Sequence, residues 1–541
     1  MKNFLSVIFL ILLSVQLMTS QSTVQNIIQY KIEKAGVEGI LVDSIYLYSN
    51  SIVPDFYRST NYMPAWTDPK NREELISCLE ESKLDGLNPD DYYLPQIKEL
   101  LSVIDGQEYP DPEIVAKADL LMTDGILLFA RHLITGKVDQ SKIRPGWDIP
   151  SNTVPENAVE RMINVLEKKN VKKAADQLRP DIDMYKYLRE KLERYYKIEE
   201  NGGLPAISAG ETLKPGMRDD RVKSVRDYLT IAGDLPSDIE VDDSLLYDKE
   251  LEVAVRHFQY RHNLIQDGAV GKGTLAEMNV PVKKRIEQLR INLERTRWVG
   301  YEIPDDFLVA NIAGFNLRRI EKDSIVFYSK VIVGKHYHET PVFRGKVKYI
   351  VVNPTWTLTH NIATKETLPR LKKDPSYLKK HNMVIMNSKG EILDPYSIDF
   401  SKYSQNYFPF IIRQNAGPNN SLGQVKFIFP NRYNVYIHDT PARSLFSREV
   451  RAFSHGCLRL DNKWELMLNL LDSPDWDMER INGILKTGET TNIPLKDPVD
   501  IFILYWTAGA DEKDVFFNKD IYFRDGAVLK ELNKPLVRYI E

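Results

Sequence analysis

The 541-residue sequence has only two cysteines, Cys78 and Cys457, too few to staple an exported chain of this length, so a disulfide scaffold is excluded. Long apolar runs are missing after the first twenty residues, and no membrane span is expected in the body of the chain. Neither sign of charge dominates. Lys and Arg number 72 against 76 Asp and Glu, and the basic residues are scattered rather than striped, which leaves nucleic acid without an electrostatic footprint. Low-complexity and collagen-like tracts are absent as well.

What is present is ordinary globular text with 43% hydrophobic residues, long enough for two to four domains. The first twenty residues depart from it. Lys2, the apolar stretch Phe4 to Leu17 and the polar end Met18-Thr19-Ser20-Gln21 read as an export signal over 1–20, cleaved after Ser20 or kept as an N-terminal anchor. No cysteine follows for lipid attachment.

Residues 21–205 read as a mainly helical scaffold. Its clearest helix opens at Asp111-Pro112, a capping carboxylate followed by proline at the first helical position, and closes at Gly136. Cys78 sits in a helical pattern as a small buried hydrophobe. Residues 206–282 form a smaller unit whose best helix, capped by Asp248, presents Leu251, Ala254, Val255 and Phe258 on one face. A basic linker helix is expected over 283–305. From 306 to 475 the apolar period becomes two, as in Leu308, Ala310 and Ile312, or Val347, Tyr349 and Val351, which predicts a β-rich domain. The alternation stops over 357–413, where Ile362 to Lys380 reads as charged helix. Long non-sheet insertions are usually functional, so this one is a candidate lid. Residues 476–541 are expected to pack on the scaffold or on the β-rich domain.

Chemistry concentrates around Cys457. A nucleophilic thiol needs a base or cation beside it and donors for the oxyanion formed when it attacks a carbonyl. His438 ends a predicted strand, Gly456 permits a backbone that converges its N–H groups, and Arg459 adds positive charge. His257 and His262 read as surface or half-buried, and His336, His338, His360 and His381 as solvated. Beside His257 and His262 no third ligand falls at a useful spacing, and no metal site and no cofactor are expected.

Ser454-His455-Gly456-Cys457 with Arg459, preceded by His438 with fifteen residues between it and Ser454, resembles the signature of the L,D-transpeptidase (YkuD-type) catalytic domain. Val333-Gly334-Lys335 with Thr340-Pro341, Asn353-Pro354-Thr355-Trp356, Gly417-Pro418-Asn419-Asn420, Lys426-Phe427 and His438-Asp439-Thr440-Pro441 extend it. Residues Ala254 to Gln259, Asp267-Gly268, Gly271 and Thr274-Leu275 resemble a peptidoglycan-binding module. Together with the helical region these are similar to the large periplasmic branch of the family. After Trp356 the text Thr357-Leu358-Thr359-His360 departs from the Pro-rich pattern expected there, so contacts to a donor can differ.

The resemblance implies a multi-domain α+β protein acting on peptidoglycan stem peptides in the periplasm, alongside other wall enzymes. Cys457 would attack a diaminopimelate carbonyl, releasing a terminal D-alanine and leaving a thioester. His438 would act as general base and a 3-3 crosslink would result, with carbapenems as inhibitors. His455, Gly456, Tyr436, Ser454 and Arg459 would serve the oxyanion or the substrate, and Trp356, Asn353 and Asn420 the substrate more weakly. An L,D-carboxypeptidase using the same acyl-enzyme and an inactive wall-binding protein remain as rivals. An NlpC-type peptidase is disfavoured, because there the cysteine precedes the histidine.

Overall fold

The computed structural model describes residues 22–143, 147–150, 157–168, 170–239, 241–299 and 303–539. The N-terminal apolar run expected as signal or anchor lies outside them. Among the described residues no helix is long and apolar enough to cross a membrane.

Helix α1 (Pro112–Thr135) begins where its sequence announces it, the Asp111 carboxylate accepting from the Glu113 N–H, and stops at Gly136. Leu120, Leu128, Phe129 and Leu133 are wholly buried, and α1 is the axis of the scaffold core formed with Phe56, Leu75, Ile97 and Cys78. Helix α2 (Asp183–Glu200) does not join that core. Tyr185, Leu188 and Leu192 pack instead with Ile286, Leu289 and Leu293 of a later helix, so the scaffold's own core ends before the 205 boundary drawn from the sequence.

In the small unit, α3 (Lys249–Arg261) has Asp248 capping the Leu251 N–H and buries its predicted face against Val222, Leu229 and Tyr247. Its signature polar residues serve the turn: the Gln259 amide donates to Asp267 Oδ1 and to the Ala269 carbonyl. His257 is half-buried between Asp234 and Asp514. His262, expected at or near the surface, is buried with its ring stacked 3.8 Å from that of Phe258, because the flat apolar imidazole face fills the gap beside the helix.

The expected linker helix is a buried spine. Along α4 (Val282–Arg297), Asn292 meets Thr507, Glu294 accepts from the Val138 N–H, Arg295 pairs with Asp525, and Arg297 donates to the Asp85 carbonyl. One helix thus satisfies polar groups from the scaffold and the C-terminal segment at once.

The β-rich domain comprises β1 (Asp306–Asn311), β2 (Asn316–Glu321), β3 (Ser324–Gly334) and β4 (Val342–Val352), then an insertion carrying β5 (Trp356–Thr357), β6 (Met383–Met386), β7 (Ile392–Leu393) and β8 (Ile411–Gln414). Strands β9 (Val425–Ile428), β10 (Ile437–His438), β11 (Ala452–Ser454), β12 (Leu458–Leu460) and β13 (Thr491–Leu504) follow. Pairing runs β9-β10-β12-β3-β2-β1-β13-β4, and β4 also pairs with β9, so the ladder closes on itself. Strand β13 lies between β1 and β4, with Ile501 opposite Leu308 and Gly345. The domain therefore runs past the 475 boundary. Its last strand was missed because Asp497-Pro498 and flanking polar residues break the alternation. Beyond it, β14 (Ala508–Ala510) and β15 (Val515–Phe517) pack on α2 and α4, and helix Asp525–Leu532 joins the scaffold core.

The insertion is more than a charged helix. Strands β7-β6-β8-β5 form a separate sheet, and Leu358, Leu368, Leu371, Leu378, Ile385, Phe400 and Ile412 form a core of their own. Its ends meet, since Thr357 pairs with Arg413 and Trp356 with Gln414.

Candidate active site

Strand register assembles the site. Lys426 on β9 is paired with His438 on β10, and His438 with Arg459 on β12, so three side chains stand abreast on one face. Two residues earlier, just ahead of these strands, come Tyr436 and Cys457, joined by the Leu458 N–H donating to the Tyr436 carbonyl at 3.1 Å. Period-two geometry puts both on the face of the row.

The loop carrying Cys457 is fixed from three sides. Ser454 Oγ accepts from the Gly456 N–H at 3.1 Å and donates to the Cys457 carbonyl at 2.6 Å. Thr340 Oγ1 donates to the Gly456 carbonyl at 2.9 Å, and Tyr522 in turn donates to the Gly334 carbonyl and accepts from the Thr340 N–H. Gly456 has φ +113°, a conformation closed to other residues, as the sequence reading required. Its N–H is taken by Ser454, however, so Gly456 shapes the loop and does not supply the expected oxyanion donor.

His438 is buried, and its Nδ1–H donates to the Asp439 carbonyl at 2.5 Å, leaving the lone pair on Nε2. Asp439 is itself held by Lys463 and by the Gln424 N–H. Gly423 makes room for it: a Cβ there would lie 2.2 Å from Asp439 Oδ2.

Burial, with a smaller contribution from Arg459, lowers the His438 pKa to about 3. Burial pushes the Cys457 thiol up to about 11, against the Tyr436 backbone and phenol hydrogen bonds and the charges of Arg459 and Lys426. At neutral pH the resting pair is therefore thiol and neutral imidazole. The thiol donates to the Asn434 carbonyl across 3.7 Å. Alkylation of Cys457 by iodoacetamide is expected to keep accelerating as pH rises towards about 11, because thiolate appears only there. A plateau from about pH 6 upward would reveal a preformed thiolate–imidazolium pair and refute this ionisation state.

Other expected residues fall in different places. His455 is exposed, with Nε2 bonded at 2.6 Å to Glu366 of the insertion and its ring 5.0 Å from that of His338. His336 and His338 lie on a 3-10 turn rather than a strand edge, and His338 is half-buried at the site's rim. Asn353 spends its amide on the Ile484, Leu485 and Glu489 carbonyls, and Asn420 on the Asn415 carbonyl and the Leu422 N–H. Both side chains are engaged in building loops. Trp356 packs against the insertion's core, His360 bonds the Gln405 carbonyl, and His381 lies against Tyr377. Among the described residues no group of three or more His, Cys, Asp or Glu is placed to hold a metal.

Lys426, Glu366, Thr340 and Tyr522 went unassigned in the sequence. Lys426 was within reach, as the polar position between inward Val425 and Phe427 on the strand that precedes His438. Glu366 had no signal.

Residues 305–501 match the L,D-transpeptidase catalytic domain, residues 218–278 the "Putative peptidoglycan binding domain", and residues 51–192 the Scaffold domain. A "Putative L,D-transpeptidase" of Haemophilus influenzae is 34% identical over 267 residues, 48% of this chain and 53% of that protein. The match thus spans about half the length of that relative. Two solved structures are similar at low scores: an L,D-transpeptidase from Mycobacterium smegmatis (14% identity, 37% of this chain and 58% of that one, TM-score 0.18) and one from Stackebrandtia nassauensis (12%, 57% and 99%, TM-score 0.22).

Proposed function

From a chain that carries an L,D-transpeptidase catalytic domain beside a peptidoglycan-binding domain and a scaffold domain, we propose that this protein crosslinks peptidoglycan stem peptides through a thioester on Cys457. The observation that carries the reading is the convergence of Cys457, Tyr436 and His438 on one face of adjacent strands, inside a loop held by Ser454 and Thr340.

The thiol turns from the Asn434 carbonyl, and His438 Nε2 takes its proton as sulfur attacks the diaminopimelate carbonyl. The Tyr436 hydroxyl and the Cys457 backbone N–H stabilise the oxyanion. Collapse breaks the C–N bond, and imidazolium returns the proton to the departing D-alanine amine. An amine of a second stem then attacks the thioester, His438 takes its proton, and the thiolate leaves and is reprotonated. The product is a 3-3 crosslink. Such a substrate places the enzyme's work in the periplasm, after export by the N-terminal apolar run.

Water competes for the thioester, and hydrolysis would make the protein an L,D-carboxypeptidase. The insertion favours transfer: its Glu366 reaches His455 beside the nucleophile, and it has a core of its own with which to act as a cover. Replacing residues 358–410 with a short Gly/Ser linker should leave a folded protein, because Trp356–Thr357 and Arg413–Gln414 are already neighbours. The truncated protein is expected to alkylate at Cys457 as before and to yield less crosslinked dimer relative to hydrolysed tripeptide. An unchanged ratio would show that the insertion does not exclude water.

Mass spectrometry of products from purified disaccharide tetrapeptide tests the whole reading. Dimers linked between two diaminopimelate residues are expected. Tripeptide alone would establish the carboxypeptidase, and unaltered substrate would leave only a wall-binding role.

A further inference from the structure

Lys426 and Arg459 flank His438 in the cross-strand row, and each is half-buried. Several interior cations elsewhere are matched by carboxylates, Lys137 with Asp91, Arg261 with Asp234, Arg297 with Glu294 and Arg319 with Asp306, while buried Arg451 is held by the Arg448 and Phe315 carbonyls. Lys426 and Arg459 have no carboxylate partner among the described residues, and Arg459 Nε is buried without an acceptor. Burial pulls both below their ordinary pKa, with the Cys457 sulfur as the sole opposing group. At neutral pH that sulfur is a thiol, not an anion. Two desolvated cations without a counter-ion are costly, and proteins keep such pairs where a ligand supplies the missing charge.

We propose that Lys426 and Arg459 bind the free carboxylate of the residue that departs when Cys457 is acylated. The assignment rests on the transpeptidase reading above and adds which groups choose the donor. In a stem ending one residue past the attacked carbonyl, the terminal carboxylate is separated from that carbonyl by only the amide nitrogen and one α-carbon. With the carbonyl over Cys457, the row two residues along β10 and β12 is about 6–7 Å away, within the span of a carboxylate on one side and long Lys and Arg side chains on the other. A longer stem, or an amidated one, presents a neutral amide there and leaves both cations unmatched, which is how a buried polar site rejects a near-isostere. The same contact would hold the leaving amine close to His438, between the two cations.

The test compares a tetrapeptide donor with its C-terminal carboxamide, which differ only in this charge. Wild-type kcat/KM is expected to favour the free acid by about 10- to 100-fold. In Lys426→Met and in Arg459→Gln the preference should shrink by about fivefold or more, with the acid donor losing more than the amide. If the cations merely tuned the thiol, both donors would fall by one factor and the preference would persist, which overturns the assignment. Indifference of the wild type to amidation overturns it too. A folded wild type that turns over neither donor defeats the transpeptidase reading itself, and this assignment with it.

A second measurement needs no variant. With a simple thiol, neutral iodoacetamide outpaces iodoacetate, since thiolate repels the carboxylate. At Cys457 the unmatched cations should invert the order, with peptide mapping to exclude buried Cys78. The ordinary order at Cys457 overturns the proposal.

Discussion

Cys457→Ala is expected to lower crosslinking by about 10⁴-fold or more while the protein stays folded. The thiol is half-buried on a loop, and its contacts are the Asn434 carbonyl and Tyr436, so deleting sulfur opens no core cavity. Melting should move by no more than the equivalent of about 1 kcal/mol. Cys78 cannot substitute, because it is sealed in the scaffold core with its pKa pushed up to about 12. Intact-protein mass spectrometry with donor should show one acyl adduct per wild-type chain and none in the variant. Activity within about tenfold of wild type would place the nucleophile elsewhere.

His438→Ala should slow acylation by about 10² to 10⁴, the worth of a positioned general base, or about 3–5 kcal/mol of barrier. The pH profile separates a base from a merely structural residue. A buried imidazole with its pKa lowered to about 3 is unprotonated, and so able to accept a proton, at every pH above that value. Wild-type kcat/KM should therefore hold steady as pH falls from about 7 to 5, where an ordinary histidine near 6.5 would lose most of its base form. In His438→Ala only thiolate can attack, so the rate should climb about tenfold per pH unit across that range. His455→Ala should be milder, since His455 is bonded away to Glu366. A steep wild-type acid limb, or a larger loss at His455, would reverse the roles given to the two histidines.

The pair proposed to react was legible because its signals are local. A strand end, a glycine needing positive φ and an uncommon residue type all survive as text, and His438, Gly456 and Cys457 stand where the motif put them. The caps at Asp111 and Asp248 were legible for the same reason. Contacts between distant segments left no trace. Nothing in Glu366 announces a partner eighty-nine residues away, nor in Tyr522 a bond to the Gly334 carbonyl. Asn353 and Asn420 misled in the opposite direction. An asparagine beside a motif can serve a ligand or the backbone, and three carbonyls at the end of helix Met478–Thr487 claim Asn353. The spine α4 was read as a linker because its buried charges look solvated in one dimension. Only in the fold do Glu294, Arg295 and Arg297 find their partners.

Strand β13 is the stave that closes the ladder between β1 and β4, and it is also the last strand of that ladder to be made. During synthesis, β1 and β4 emerge with their facing edges bare for more than a hundred residues before their shared neighbour arrives. Unpaired edges of this kind attract other strands, and such long-range closure is slow. A ribosome stalled before Thr491 would hold every residue of the reactive row and still lack the partner that locks β4 beside β1. The protein is thus built so that its chemistry waits for nearly the whole chain, and truncations near the C-terminus should be recovered as aggregates rather than as weakened enzymes.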